Sequence, residues 1–202
     1  MFAQIIRGRV ADPAAVRTVV GRWMTQLGPT AKGWLGSTGG VTDHKELFVL
    51  VRFESEEAAR ANSDRPEHGA WWAEMEPLLD GDATFQDSNE VYEDIRGDLD
   101  SAGFVQVMTG QTSDPERTQE LMTDSREDRV AFRPEILGQV AVAHQRGKFT
   151  FLNYFTTEAQ AREGERKPRP PELDKLMTAL NELGVGEPEF LDLRSPWLDS
   201  PA

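Results

Sequence analysis

The chain contains no cysteine, and this absence removes several kinds of chemistry at once. Disulfides, thiolate metal sites and a cysteine nucleophile are excluded, and the composition fits a reducing compartment. Histidine is scarce as well, because there are three in 202 residues. His44, His68 and His144 lack the short spacing of paired zinc ligands. We therefore expect no metal site built from histidine or cysteine.

Basic charge and long apolar runs are also lacking. Lys and Arg total 22 against 35 Asp and Glu, which gives a net charge of −13 and argues against nucleic acid or an anionic membrane as partner. No apolar run approaches the roughly 18 residues of a membrane span. The segment MFAQIIRGRV does not have the pattern of a secretory leader. The sequence thus predicts a soluble, cytoplasmic protein.

The chain instead contains an internal repeat. A shift of 102 residues lays positions 2–60 over 104–162 without a gap, and twelve pairs are identical in that register. The identities cluster at strand starts, at a turn and at a helix entry, where backbone geometry restricts the choice of residue. We predict that one fold unit occurs twice, with repeats over 1–95 and 103–198 joined by a linker at 96–102. The linker overlaps an acidic stretch over 90–100 that we expect to be a solvated connection.

Each half changes its hydrophobic period in the same order. A strand-like segment meets an Asp-Pro pair, Asp12-Pro13 or Asp114-Pro115, that predicts a capped helix start. In the second half this helix is predicted to run through ERTQELMTDSREDRV. A β-hairpin follows, then a short helix entered at Ser55 or Thr157, a third helical stretch and a last strand. For the third stretch of the first half, the spacing of Asp64 and Glu67 predicts an acidic capping pair.

The predicted fold class is α+β, with two tandem ferredoxin-like βαββαβ repeats. In the third strand Leu47, Val49, Val51 and Phe53 share one face, whereas Phe48 and Leu50 share the other. Because both faces are apolar, we expect the two antiparallel sheets to pack together, so that one chain makes an internal pseudo-dimer. Whether whole chains associate further is left open by the sequence.

The residues also resemble a known family. The strand and helix order, the hairpin ending in RFESEEAARAN and the following PEHGAWWAEMEPLL are similar to antibiotic biosynthesis monooxygenase-like proteins of the dimeric α+β barrel superfamily. The resemblance covers nearly the whole chain, once per half. It implies a ligand pocket between the sheet and the helices whose polar lining residues are an Asn, a Trp and a His. That superfamily includes cofactor-free oxygenases, haem-degrading enzymes and proteins of unknown role, so the resemblance favours a fold more than a reaction.

The candidate site in the first half consists of His68, Trp71 and Trp72, which share one helix face. His68 is the candidate proton donor or haem ligand, and the two tryptophans are candidate walls for an aromatic substrate. The alternative is that one Trp packs in the core and His68 is exposed near a helix start. The second half has Leu173 and Leu176 nearby, so the halves are not expected to share one chemistry.

Four further polar residues in the predicted strands are candidates for a functional or structural role. Asn153 lies among phenylalanines and is either a second catalytic candidate or an amide bonded to a neighbouring strand. Tyr154, on the opposite strand face, is either packing or the rim of a substrate pocket. Gln4 and Gln106 are retained in both halves, and we expect them to hydrogen-bond to each other in a structural role.

Two classes of function follow. The first is a cofactor-independent monooxygenase that acts on a small hydrophobic, aromatic or enolisable molecule, with a haem-binding variant in which His68 contacts iron. The second is a non-catalytic ligand-binding or structural module in which duplication fuses an ancestral dimer. An enclosed cavity lined by Trp71 or Trp72 and Asn153 would favour chemistry. A filled interior with these groups bonded to protein would favour the module.

Overall fold

Both repeats form the predicted β-α-β-β-α-β unit in a computed structural model that describes residues 1–201. The first repeat comprises β1 (Phe2–Arg9), α1 (Pro13–Gln26), β2 (Trp34–Val41), β3 (Glu46–Phe53), α2 (Glu56–Ser63), α3 (Pro66–Met75) and β4 (Thr84–Ser88), and is followed by β5 (Val91–Ile95). The second comprises β6 (Phe104–Gln111), α4 (Pro115–Asp124), α5 (Arg126–Phe132), β7 (Ile136–Ala143), β8 (Lys148–Phe155), α6 (Glu158–Arg166), α7 (Pro171–Leu183) and β9 (Glu189–Leu193), and is followed by β10 (Trp197–Asp199).

The strands form two five-stranded antiparallel sheets of matching order. The first is β10-β2-β3-β1-β4 and the second is β5-β7-β8-β6-β9. Phe2 pairs with Phe53 in the first sheet, and Phe104 pairs with Phe155 at the equivalent place in the second. The second strand of each repeat has a β-bulge just before a glycine that occupies the same position in both repeats, Gly36 or Gly138. Gly36 adopts a φ of 136° there. The repeat seen in the sequence is thus also a repeat of strand register.

The two compact units differ from the predicted division of the chain. One unit contains residues 1–91 together with the C-terminal segment from Leu193, and the other contains residues 92–192. The difference arises because β5 pairs with β7 and β10 pairs with β2. The acidic stretch 90–100, expected as a solvated connection, therefore contains a strand and also a short helical turn, Leu99–Ser101.

Local capping explains where most helices begin. Asp12 accepts hydrogen bonds from the backbone N–H groups of the first turn of α1, and Asp114 does so for α4. Ser55 and Thr157 cap α2 and α6 as predicted. The capping pair expected at Asp64 and Glu67 is wrong, because Asp64 completes the end of α2 and α3 begins after Arg65 without a side-chain cap. The polar helix of the second repeat is also interrupted, at Ser125.

Strand alternation gives each sheet of the protein two different faces. In the first sheet Ala3, Ile5, Phe48 and Leu50 point away from the helices and are at most 1% exposed. The helix-facing side carries Phe2 and Phe53 and belongs to a core cluster with Trp23, Trp34 and Ala59. In residues 1–201 we find no helix whose length and apolar content would let it span a bilayer.

Candidate functional site

The first unit contains a partly open cavity of about 320 Å³ between its sheet and helices α1, α2 and α3. This volume lies at the lower end of the roughly 300–1,000 Å³ found for small-molecule sites. The floor is the helix-facing side of the sheet, with Ile6, Val49 and Val51 at its centre. Side chains alternate along each strand, so the same pattern that makes the sheet amphipathic also makes this floor apolar. The cavity can therefore accommodate a small, largely apolar molecule.

Several aromatic rings line the wall of the cavity. Trp71 lies with its ring centroid 6.5 Å from Trp23 and 6.0 Å from Trp72, and Trp72 lies 5.4 Å from Phe85. Trp197 on β10 completes the lining from the C-terminal segment. These edge and tilted contacts are the favoured geometries for aromatic pairs. A planar ligand would find flat, polarisable surfaces in this cavity.

The three first-half candidates do come together, as the helical spacing predicts. His68, Trp71 and Trp72 all line the cavity, and the His68 ring centroid is 5.4 Å from that of Trp71. The Trp71 N–H donates to the backbone carbonyl of Val19 over 2.8 Å, so this indole offers a ligand its ring and not its N–H group. The Trp72 N–H makes no hydrogen bond to residues 1–201. Trp72 is therefore the indole of this pair that can also donate.

A short relay of hydrogen bonds fixes the orientation of His68. Arg65 donates to the side-chain oxygen of Asn62 over 3.2 Å, which directs the Asn62 amide nitrogen toward His68 Nδ1 at 3.4 Å. The Trp23 N–H donates to the same Nδ1 over 3.3 Å. Two donors therefore converge on one ring nitrogen, and that nitrogen must carry a lone pair. The geometry favours the neutral tautomer with its proton on Nε2.

Burial and charge support the same protonation state. Burial of the ring lowers the pKa of His68 from its ordinary value of 6.5, and the nearby Arg65 guanidinium lowers it further. At neutral pH His68 is therefore uncharged. Its Nε2 makes no hydrogen bond to any of the described residues 1–201. His68 can consequently act as a neutral hydrogen-bond donor to a ligand oxygen in the cavity.

The lining of the cavity also contains polar groups that are mostly bonded to each other or to neighbours. Gln4 donates to Asp87 over 2.8 Å, and Arg60 donates to Glu56 over 2.6 Å. Asn89 also donates to Glu56, and these contacts lower the pKa of that exposed carboxyl. These polar and charged groups therefore have partners within the protein, and the rest of the lining is mostly apolar.

The candidates of the second half lie elsewhere. Asn153 and Tyr154 belong to the second unit and are absent from the lining of this cavity. The Gln139 amide donates to the Asn153 side-chain oxygen over 2.7 Å, across the β7–β8 pairing. Tyr154 lies on the other sheet face and is 0% exposed. These placements favour the structural alternatives: an amide bonded to a neighbouring strand and a packed ring.

The expected pairing of Gln4 with Gln106 is wrong. Gln4 donates to Asp87, whereas Gln106 donates to Glu165 over 3.0 Å. A carboxylate is a stronger acceptor than an amide oxygen, because the hydrogen bond is then charge-assisted. Each glutamine thus supports its own unit.

Three residues of the site were not predicted from the sequence: Trp23, Asn62 and Trp197. Trp23 and Asn62 orient His68, and Trp197 closes the wall from a segment at the far end of the chain. One available signal was the uneven distribution of tryptophan. All five tryptophans lie in the residues that form the first unit, and four of them line the cavity.

The haem variant requires a lone pair on a histidine nitrogen that can reach iron. His68 Nδ1 is already occupied by two donors. Placing the lone pair on Nε2 would put a proton on Nδ1, facing the Trp23 N–H, and would oppose two donors. His68 therefore does not fit the role of a haem ligand. Across the described residues 1–201, no group of three or more His, Asp or Glu side chains could hold a metal ion.

Comparison with known proteins extends this description to the fold of the whole chain. No protein-family model matches the chain, and no curated protein matches it by sequence. A candidate monooxygenase from Fusobacterium nucleatum subsp. nucleatum ATCC 25586 matches with a TM-score of 0.79 at 9% identity, over 98% of this chain and 94% of the other. An anthrone oxidase-like protein matches with a TM-score of 0.71 at 10% identity, over 98% and 92%.

A third structure links the fold to the expected family. It is a ferredoxin-fold protein from Listeria monocytogenes 4b F2365 that is related to antibiotic biosynthesis monooxygenases, with a TM-score of 0.50 at 13% identity, over 100% of this chain and 95% of the other. Identities this low establish likeness of fold alone. The resemblance read from the sequence is confirmed at that level: the chain has the α+β fold, with tandem ferredoxin-like repeats, of monooxygenase-like proteins.

Proposed function

We propose that the protein binds a small aromatic or enolisable molecule in the cavity of its first unit and catalyses the oxygenation of that molecule by dioxygen without a cofactor. The observation that carries the proposal is the position of His68. A neutral imidazole, oriented by Trp23 and Asn62, supplies an N–H donor in a cavity whose lining is mostly apolar and includes several aromatic rings. Such a donor is suited to an oxygen atom on which negative charge develops.

The binding step depends on apolar burial and ring contact. Trp71, Trp72 and Trp197 provide flat surfaces, and Val49 and Val51 provide the floor. Burial of apolar ligand surface gives about 25 cal/mol per Å² before the costs of association are subtracted. This wall favours a planar, mostly uncharged substrate with one or two oxygen atoms.

The proposed reaction balances without an external reductant. An activated CH₂ group beside a carbonyl or phenolic oxygen loses a proton to solvent water, which later returns one proton to the peroxide, and the resulting enolate oxygen accepts a hydrogen bond from the His68 Nε2–H. The enolate carbon then forms a bond to dioxygen, and the peroxide is protonated. Loss of water breaks the O–O bond and leaves a ketone. One oxygen atom enters the product and the other leaves as water. The protein contributes orientation, exclusion of bulk water and stabilisation of the oxyanion.

A non-catalytic ligand-binding module is the second candidate, and one observation favours it. Two of the groups first considered for chemistry, the Trp71 N–H and the Asn153 carbonyl oxygen, are bonded to other protein groups. A protein built only to hold a hydrophobic molecule would need the cavity but not the donor on His68. The two candidates therefore differ in what loss of that donor does.

Anthrone is a suitable first probe, since one of the compared proteins is described as anthrone oxidase-like. Binding is measured by quenching of tryptophan fluorescence without dioxygen. Turnover is then followed by oxygen uptake and by mass spectrometry with ¹⁸O₂. For an oxygenase we expect one labelled atom per product molecule. The His68→Phe variant, which removes the N–H donor and keeps an aromatic ring, should retain binding within a few-fold but lose about 10²-fold or more in kcat.

His44→Phe is the matched control, because His44 is exposed in a turn and does not line the cavity. Its binding and turnover should equal those of the unmodified protein. Binding without oxygen uptake above the spontaneous rate would support the module. Turnover that survives unchanged in His68→Phe would refute the proposed role of the imidazole.

A further inference from the structure

Three arginines surround a single carboxylate in the second unit. Arg96 donates to Asp94 over 2.8 Å, and Arg126 donates to the other oxygen of the same carboxylate over 2.6 Å. The two guanidiniums together lower the pKa of Asp94, although burial opposes this shift. Asp94 therefore remains ionised, but one carboxylate compensates only one of the positive charges around it.

The third guanidinium has no carboxylate of its own. Arg129 donates to Gln139 over 3.2 Å, to Ser125 over 3.2 Å and to the backbone carbonyl of Met122 over 2.8 Å, and all three acceptors are uncharged. Within the described residues 1–201 it makes no ion pair. The carbonyl of Met122 lies in the last turn of α4, where helix geometry offers only a partial negative charge.

The cluster is tight because one amide oxygen connects two of its cations. Gln139 Oε1 accepts from Arg96 over 3.0 Å as well as from Arg129. Burial lowers the pKa of Arg129, repulsion from Arg96 and Arg126 lowers it further, and attraction to Asp94 opposes the shift. Three guanidiniums and one carboxylate leave a net charge of two positive units, in a protein whose overall charge is −13.

The fold does not require a cation at this place. In the repeat register, Arg129 corresponds to Leu27, which is 7% exposed and packs in the core of the first unit. Gln139 and Asn153 correspond to Ser37 and Val51, which line the apolar cavity. The second unit therefore has a polar, donor-rich network at the positions where the first unit has its cavity and core. The Asn153 amide nitrogen makes no hydrogen bond to residues 1–201 and adds another donor.

We propose that this cluster, formed by Arg96, Arg126 and Arg129 around Asp94 and Gln139, is a binding site for a small dianion such as a phosphate group or a dicarboxylate. Two uncompensated positive charges match a dianion, and guanidinium groups bind both kinds of oxyanion through paired N–H donors. Arg126 is 55% exposed, so the cluster is open to solvent on that side. The site is independent of the aromatic cavity and of the function proposed for it.

The test is isothermal titration calorimetry of the full chain with inorganic phosphate and, in a separate arm, with malonate. Sodium chloride at matched ionic strength serves as the reference, because it separates specific binding from screening. We expect one phosphate per chain at millimolar or lower dissociation constant. A preference for phosphate over malonate identifies a tetrahedral oxyanion, and the reverse identifies a dicarboxylate.

Variants locate the site. Arg126→Gln and Arg129→Gln should each weaken binding about tenfold or more, since each removes a charge-assisted contact. Arg117→Gln is the matched control, because Arg117 lies on the preceding helix α4, is 53% exposed and pairs with Glu120. It should bind as the unmodified protein does. Arg126 is mostly exposed, so its variant remains informative even if Arg129→Gln does not fold. Absence of heat beyond the chloride reference, or binding retained in Arg126→Gln, would overturn the proposal.

Discussion

Replacement of Trp23 by Phe tests the hydrogen bonding that orients His68. The change removes the N–H donor at Nδ1 while keeping an aromatic ring in the core. The smaller ring loses about 2 kcal/mol of apolar burial and packing, and the lost hydrogen bond adds about 1 kcal/mol. We therefore expect the free energy of unfolding to fall by about 3 kcal/mol. For a chain of this size the midpoint of thermal unfolding should fall by about 6–12 °C.

The decisive measurement is the protonation of the His68 ring. Long-range ¹H–¹⁵N correlation spectra should show the unmodified protein with a proton on Nε2 and none on Nδ1 at neutral pH. A hydrogen bond donated to Nδ1 stabilises the neutral ring, so its loss should raise the pKa of His68 and increase the population of the Nδ1–H tautomer. Asn62 still donates to this nitrogen, so the orientation should be weakened and not abolished.

Trp34→Phe is the control for stability. Trp34 is 6% exposed against 7% for Trp23, and its N–H donates to Ser37 and not to His68. Both variants should lose similar stability, but only Trp23→Phe should change the titration of His68. If the unmodified protein carries its proton on Nδ1, or if both variants shift the His68 titration equally, the reasoning is refuted.

Three further predictions concern stability. Burial lowers the pKa of His68 and His144, so the unfolded chain binds more protons than the folded protein below about pH 6.5, and the free energy of unfolding should fall as pH drops from about 7.5 to 5.5. Urea titrations should show a smaller fall in the double variant His68→Gln, His144→Gln. An equal fall in that variant would contradict the assignment of this pH dependence to the two histidines. Arg162→Ala should lower the free energy of unfolding by about 1–2 kcal/mol, because Arg162 contacts three carboxylates and the Phe104 ring. The control Arg60→Ala removes one exposed ion pair and should lower it by about 0.5 kcal/mol or less. Equal losses of stability in chemical denaturation would argue against the Arg162 network. Gly147→Ala should lower the free energy of unfolding by about 3 kcal/mol or more, because Gly147 has a φ of 72° and a Cβ there would lie 2.1 Å from a backbone oxygen. A melting temperature within a few degrees of that of the unmodified protein would contradict this prediction and show that the loop rearranges.

The sequence predicted those features of the fold that depend on neighbouring residues. Asp12 and Asp114 cap their helices because the acceptor lies two or three residues from the donors it serves. The hairpins formed where alternation and a short connection occur together. The failure at Asp64 has the same local origin: that residue ends one helix a few positions before the next begins, and the spacing alone did not show which helix it serves.

The candidate site was predicted in part. His68, Trp71 and Trp72 meet because helical spacing places them on one face. Trp23 reaches His68 across 45 positions of sequence, and no spacing rule predicts that contact. Asn153 looked like a pocket residue, but the Gln139 side chain on the adjacent strand bonds its oxygen. Which partner satisfies a buried amide depends on sheet register, and register is a property of two strands together.

The sequence by itself therefore determined the duplicated ferredoxin-like unit and the helix that carries the cavity histidine, since both follow from short-range backbone preferences and from side-chain periodicity. The tertiary structure decided which unit contains the aromatic cavity and which ring nitrogen of His68 keeps its lone pair. It also decided where Trp197 lies, because β10 pairs with β2. These outcomes depend on side chains from distant segments that share one enclosed space, where volume, burial and hydrogen-bond geometry must be satisfied together.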